Sequence, residues 1–249
     1  VDIFAIPALA ALLDGAQSTF LALSDLLAPL AGASATACAI VLITLLVRAV
    51  LIPVGVSQAR AEQARARLAP ELRELQRRHR RDPERLQRET MRLYADHGTS
   101  PFAGCLPLLL QAPVVGLIYA VFLHTTIAGN ANVLLAHELA GVPLGTSIAG
   151  AIGAGALDPT TALVCGAVVV LIAVVGEATR RLLRPPVDPA AEAGPLTSPA
   201  AVQMVGALQF ATAAIALFVP LAAALYLLTT VAWTLGQRLV LRRRFPLPR

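Results

Sequence analysis

The sequence predicts an all-α, polytopic membrane protein. Three observations carry that fold class. The chain is 57% hydrophobic and only 14% charged, outside the balance of an ordinary soluble domain. Its apolar residues gather in runs of about 20, the length that crosses a hydrocarbon core. Its 20 basic side chains are all arginine, and nineteen of them fall in three segments, the bias expected of cytoplasmic loops. A basic excess in a soluble protein would raise nucleic acid as a partner. Here topology explains the charge, and no sequence-specific nucleic-acid binding is expected.

Residues 1–33 are apolar but broken by Pro7, Asp14, Asp25 and Pro29. Leu12, Leu13, Phe20, Leu23, Leu27 and Leu30 recur at near-helical spacing, so the stretch is expected to lie amphipathically on the extracytoplasmic surface. A further span is the alternative. No basic residue precedes the apolar run, so no cleavable signal peptide is visible. Residues 34–56 form the first span, and one charge, Arg48, lies inside it. Arg48 stands nine positions before Ser57, about 13 Å of helix, close to the middle of a core about 30 Å thick. A charge at that depth costs about 2.5–3.5 kcal/mol on insertion scales, and snorkelling from there is strained.

Residues 57–97 change solvent, with eleven arginines and seven acids. Ala64, Leu68, Leu72, Leu75 and His79 share one helical face. Pro70 is expected to bend or restart that helix. Asp82-Pro83 is a helix start, an N-cap acid before proline at the first helical position, and Leu86, Thr90, Leu93 and His97 give the second helix its stripe. The short turn between them predicts an antiparallel hairpin. Its charged outer face supports weak ion pairs at best.

Residues 101–123 form a second span, kinked at Pro107 and Pro113. Residues 124–158 are an extracytoplasmic loop whose glycine-rich part reads as a surface or re-entrant segment. Residues 160–183 form a third span, 184–200 a proline-rich cytoplasmic loop, and 201–219 and 221–241 two more spans split by Pro220. Residues 242–249 are a basic tail. Five spans place the hairpin, the 184–200 loop and the C-terminus on one side with every arginine but Arg48. The other side holds only acids, Asp2, Asp14, Asp25, Glu138 and Asp158. The arginine side is therefore expected to be cytoplasmic.

No acid falls mid-membrane to pair with Arg48. Glu177 is nearest, but Arg180 and Arg181 stand three and four residues on and can pair with it locally. Arg48 then either caps backbone carbonyls or a lipid phosphate, or faces a hydrated cavity and offers its charge to something anionic. Cys38, Cys105 and Cys165 lack CxxC spacing and read as packing residues. The four histidines lack ligand spacing, and no glycine-rich phosphate loop is present. No metal, cofactor or enzymatic activity is expected.

The stretches AIVLITLLVRAVLIPVGVSQ, LAPELRELQRRHRRDPERLQRETMRLY and TSPFAGCLPLLLQAPVVGLIYAVF closely resemble the YidC family of membrane protein insertases. Pro220, Leu225-Tyr226, Trp233 and Gln237 resemble the family's last two spans, with Leu227 where an aromatic often stands. The resemblance implies a five-helix core with a hydrophilic groove, open to the cytoplasm and lipid and closed to the outside. It implies that Arg48 is the groove's positive charge and that Gln111 faces it. It implies nascent membrane proteins as substrates, and a mobile hairpin that receives them. Relatives with long basic tails can dock ribosomes through them; here only the arginines from Arg238 to Arg249 remain. Ribosome, targeting receptor and translocon are the further partners. Gln237, Trp233 and Tyr226 are candidate groove residues, with packing or interface roles as the alternative for the aromatics. Gln111 can instead bond another helix. Gln203, Gln209 and Thr234 are weaker candidates. The alternative from another class is a small-anion transporter using Arg48, although the internal repeats and intramembrane acids of transporters are not seen.

Overall fold

The computed structural model describes residues 7–98, 106–127, 129–183 and 210–244. It is mainly helical: α1 (Pro7–Ala31), α2 (Ala35–Val50), α3 (Ile52–Arg78), α4 (Pro83–Asp96), α5 (Leu106–Leu123), α6 (Ile148–Gly153), α7 (Pro159–Leu182), α8 (Ala211–Ala216) and α9 (Leu221–Arg244). Among the described residues three helical stretches are long and apolar enough to cross a bilayer: Ala10–Val50, Pro159–Leu182 and Leu221–Arg244. The expected spans 101–123 and 201–219 are described from Leu106 and Phe210 onward. The proline-rich 184–200 loop, Cys105, Gln203 and Gln209 lie outside the described residues, apart from the start of that loop's flank at Leu183. The all-α membrane class holds, with two small ribbons added: β1 (Thr126–Ile127) pairs antiparallel with β2 (Asn130–Ala131), and β3 (Glu138–Leu139) with β4 (Val142–Pro143).

The chain divides into two compact units, Val1–Ala49 with Val114–Leu235, and Val50–Pro113 with Gly236–Arg249. In the first, α1 buries Leu13, Gln17, Phe20 and Ser24, one face at helical spacing. Leu12, Leu26 and Leu30 stay outside, Leu30 being 88% exposed. Gly32 ends the helix with φ +54, a left-handed stop that glycine makes without a β-carbon clash. Phe20 meets Phe122 edge-on with ring centroids 5.2 Å apart, and Phe122 leans on Tyr226 at 6.1 Å. Ile40, Val121, Leu134, Val142, Leu144 and Leu221 complete this core.

The segment from His124 to Asp158 spends its hydrogen bonds on helix ends. The Asn132 side-chain amide donates to the Val121 and His124 carbonyls at 2.7 and 2.9 Å, closing the C-terminus of α5. The Leu221 and Ala222 N–H groups, orphans at the start of α9, donate to the Thr146 and Leu144 carbonyls, and the Ala149 N–H donates to the Leu217 carbonyl beyond α8. Unsatisfied helix ends cost most where water is scarce, so this segment behaves as a cap. Helix α8 stops before Pro220, whose ring disfavours helical geometry in the residue before it. Ser24 and Thr36 share a 2.7 Å hydrogen bond, and Thr36 shares another of 2.7 Å with His137 Nδ1. Three polar side chains thus tie α1, α2 and the cap together.

The second unit holds the charged helices. On α3 Leu68 is buried, Ala64, Leu72, Leu75 and His79 are half-buried, and Arg67, Arg73 and Arg77 are exposed, as the periodic stripe predicts. The helix runs through Pro70 without restarting. Pro70 is exposed, so the carbonyl that loses its donor there can turn to solvent. Asp82 caps α4 by accepting from the Arg85 N–H at 3.0 Å. His97 Nε2 lies 3.9 Å from a Glu71 oxygen, across from α4 to α3. Arg77 and Arg78 both bond Glu74, which holds its carboxyl below the ordinary value.

Candidate functional site

Arg48 occupies the last turn of α2. The expected span is interrupted just beyond it: Leu51 leaves helical geometry (φ −84°, ψ 5°), and the helix resumes at Ile52. Pro53 explains the break, because it has no N–H for the Ala49 carbonyl. Arg48 therefore sits at the negative end of the α2 dipole. That position is worth about 0.3–1 kcal/mol, and up to about 2 in partly buried geometry. It offsets only part of the about 2.5–3.5 kcal/mol that a charge at mid-bilayer costs.

Pairing does not make up the difference. Arg48 is half-buried, and among the described residues it forms no ion pair. The titratable side chain that acts on it there is Tyr226 of α9. Glu177 is committed elsewhere. Arg180 donates to it through Nε and Nη2, both at 2.7 Å, and Arg181 bonds it as well.

Tyr226 is buried, its ring 6.4 Å from that of Tyr119 on α5. Along α9, residues 226, 230, 233 and 237 follow at spacings of four, three and four, which is one helical face. The Tyr226 phenol interacts with the Thr230 side chain. The buried Thr230 Oγ1 nonetheless meets no partner at full hydrogen-bond geometry. Its neighbours spend their hydroxyls on their own helix: Thr229 donates to the Leu225 carbonyl at 2.8 Å and Thr234 to the Thr230 carbonyl at 2.8 Å.

The five candidates from the sequence thus fare differently. Arg48 and Tyr226 come together. Trp233 is half-buried on the same α9 face. Gln237 is half-buried, with its side-chain amide over the backbone of Gly55 in α3. Gln111 lies in α5, and its side chain is outside the described residues. Sequence reasoning passed over Tyr119 and Thr230. The one-turn spacing from Tyr226 could have found Thr230, whereas nothing local marks Tyr119.

The chain matches the family described as 60Kd inner membrane protein over residues 27–247. It is 30% identical over 224 residues to a protein named membrane protein insertase YidC from Streptomyces avermitilis, covering 84% of this chain and 51% of that one. It is 41% identical over 87 residues to a YidC insertase of Clostridium perfringens, covering 35% of this chain and 37% of the relative. With the Clostridium tetani protein of the same name it shares 34% over 102 residues, 41% of this chain and 46% of the other. The chain spans about half or less of the length of these relatives.

Proposed function

The chain belongs to the 60Kd inner membrane protein family, and from that premise we propose that it is a membrane protein insertase of a bacterial plasma membrane. Its substrates are nascent membrane proteins with short hydrophobic segments, which it passes sideways into the bilayer through a hydrophilic groove. The observation that carries this reading is Arg48, half-buried at a broken helix end with no carboxylate partner among the described residues. The buried Tyr226 phenol acts on it, and the unpartnered Thr230 hydroxyl lies one turn further along the same helix.

Magnitudes show what such a charge can do. About ten Leu, Ile, Phe or Val residues gain roughly 3–6 kcal/mol on entering the membrane at about 0.3–0.6 each. One acid at mid-membrane costs about 2.5–3.5 kcal/mol. One or two acids in a translocated tail can therefore stall an otherwise favourable insertion. Arg48 lowers that barrier by meeting the carboxylate in reduced dielectric, which spares part of its desolvation cost. Burial of the apolar segment supplies the drive.

Gln111, Tyr226 and Trp233 join Arg48 in the groove. The arginine distribution supports a cytoplasmic hairpin and C-terminus, with α1 lying on the outer surface. The hairpin of α3 and α4 is the docking element for a ribosome or targeting receptor, and a translocon is a further partner.

Reconstitution in liposomes with a radiolabelled single-span substrate bearing an acidic tail tests this. Arg48→Ala and Arg48→Glu should impair insertion, and Arg48→Lys should largely retain it. If the Arg48→Ala protein inserts the acidic substrate at the wild-type rate, the attraction mechanism is wrong.

A further inference from the structure

We infer that Gln237 is a positioning residue, whose side-chain amide sits in the space left open over the backbone of Gly55 and fixes the register of the C-terminal part of α9, from Gly236 on, against α3. The consequence for activity rests on the insertase reading above, whereas the packing itself does not.

Gly55 lies in α3, seven residues beyond Arg48. Glycine inside a helix is destabilising relative to alanine by about 0.5–1 kcal/mol, so its presence there needs a cause. Backbone strain is not the cause, since Gly55 is absent from the positive-φ residues. Space is. At Gly15, Gly116, Gly166 and Gly236, which also lie in long helices, an added β-carbon would meet nothing within 4 Å. At Gly55 it would overlap the Gln237 amide nitrogen and stand 2.8 Å from Cδ and 3.2 Å from Oε1. The missing methyl is occupied by the glutamine head. Small residues that admit close approach, together with polar side chains laid against a neighbouring helix, are how spans associate where no hydrophobic drive exists between them.

The atoms that a methyl would displace are the far end of a flexible side chain. Gly55→Ala therefore evicts the amide while the fold survives, and it perturbs Gln237 without touching it. Gln237→Ala leaves the seat empty. Trp233, the chain's one tryptophan, stands one turn before Gln237 on the same helix and reports on the event independently of insertion.

The experiment uses full-length Gly55→Ala, Gln237→Ala and the double variant in liposomes, with thermal melts to verify folding. Each single variant should slow insertion of the acidic single-span substrate about three- to tenfold, the range open to one interhelical polar contact. The double variant should be no slower than the worse single. Gly55→Ala should shift Trp233 emission in the wild-type background and not in the Gln237→Ala background. Wild-type insertion by Gly55→Ala beside a slow Gln237→Ala would overturn the inference, since Gln237 would then act on the client directly. Multiplying losses in the double variant, or an unmoved Trp233 emission in Gly55→Ala, would overturn it as well. If the wild-type protein inserts nothing, the insertase reading fails, and the emission experiment alone decides the Gly55–Gln237 packing.

Discussion

Replacing Thr36 by valine should destabilise the protein through hydrogen bonding alone. Thr36 is 1% exposed and Ser24 3%, and the hydroxyl of Thr36 bonds both Ser24 and His137 at 2.7 Å. Valine matches threonine in shape, so no cavity opens. What is lost is the partner of two polar groups. A buried group left unsatisfied costs about 1–3 kcal/mol. Ser24 lies within a helix and can fall back on a carbonyl one turn earlier, and His137 is only half-buried. The expected loss is therefore that of one orphan, about 1–3 kcal/mol. At about 2–4 °C per kcal/mol for a chain of this size, the melting temperature in detergent should fall by about 2–12 °C. Thr44 is the internal control. It is equally buried on the same helix, two turns on, but its hydroxyl only donates to its own Ile40 carbonyl at 2.6 Å. Thr44→Val should thus cost much less. Equal melting temperatures for the two variants would refute the claim that the three-residue tie holds α1 and the cap to α2.

Two further predictions concern backbone and charge. Ala140 has φ +52 beside Gly141 at φ +83 in the two-residue turn between β3 and β4, a conformation that costs alanine about 1–2 kcal/mol and that asparagine tolerates. Ala140→Asn should therefore stabilise by about 0.5–1 kcal/mol, read as a rise in melting temperature, and a fall would show that the cap's turn is set otherwise. Asp158 starts α7; the Thr161 side chain, then the Thr161 and Thr160 N–H groups, hold its carboxyl below the ordinary value. A depressed carboxyl contributes stability that is complete above its unfolded value and lost as pH falls through the folded one. Acidification below the ordinary aspartate range should then speed amide exchange in the first turn of α7 in the wild type, and Asp158→Asn should flatten that dependence.

Legibility followed sequence separation. Arg48, the apolar runs and the Asp82-Pro83 start are local signals, and periodicity picked out the buried stripe around Leu68. The cap was not legible, because strands of two residues are shorter than any alternation that could reveal them. Ser24, Thr36 and His137 come from three distant stretches, and each is unremarkable within its own. The stripe on α1 was half right: Leu13 and Phe20 are buried, while Leu12 and Leu30 point out, since Gln17 and Ser24 take the inner positions that hydrophobicity alone would deny them. Gln237 was visible as a polar residue in an apolar helix, but its seat on Gly55 depends on a residue whose relevant property is the absence of a side chain.

The two ends of α2 are built in opposite ways, and the contrast bears on where a client can enter. At the Thr36 end, the Ser24 and Thr36 hydroxyls and His137 form a chain of short hydrogen bonds, and the cap supplies carbonyls to the first N–H groups of α9. Among the described residues the buried side-chain atom left without a protein partner in the cap is the Asn132 Oδ1. At the Arg48 end, Pro53 denies the Ala49 carbonyl its helical donor, the guanidinium finds no acid among the described residues, and the Thr230 hydroxyl, one turn from Tyr226, lacks a protein partner. A guanidinium without an acid and a hydroxyl without a partner are costly in hydrocarbon and cheap in contact with water. Hydration is therefore expected at the Arg48 end. On the proposed reading, with the arginine-rich side cytoplasmic, an acidic tail would enter at the Arg48 end and be held there by the guanidinium.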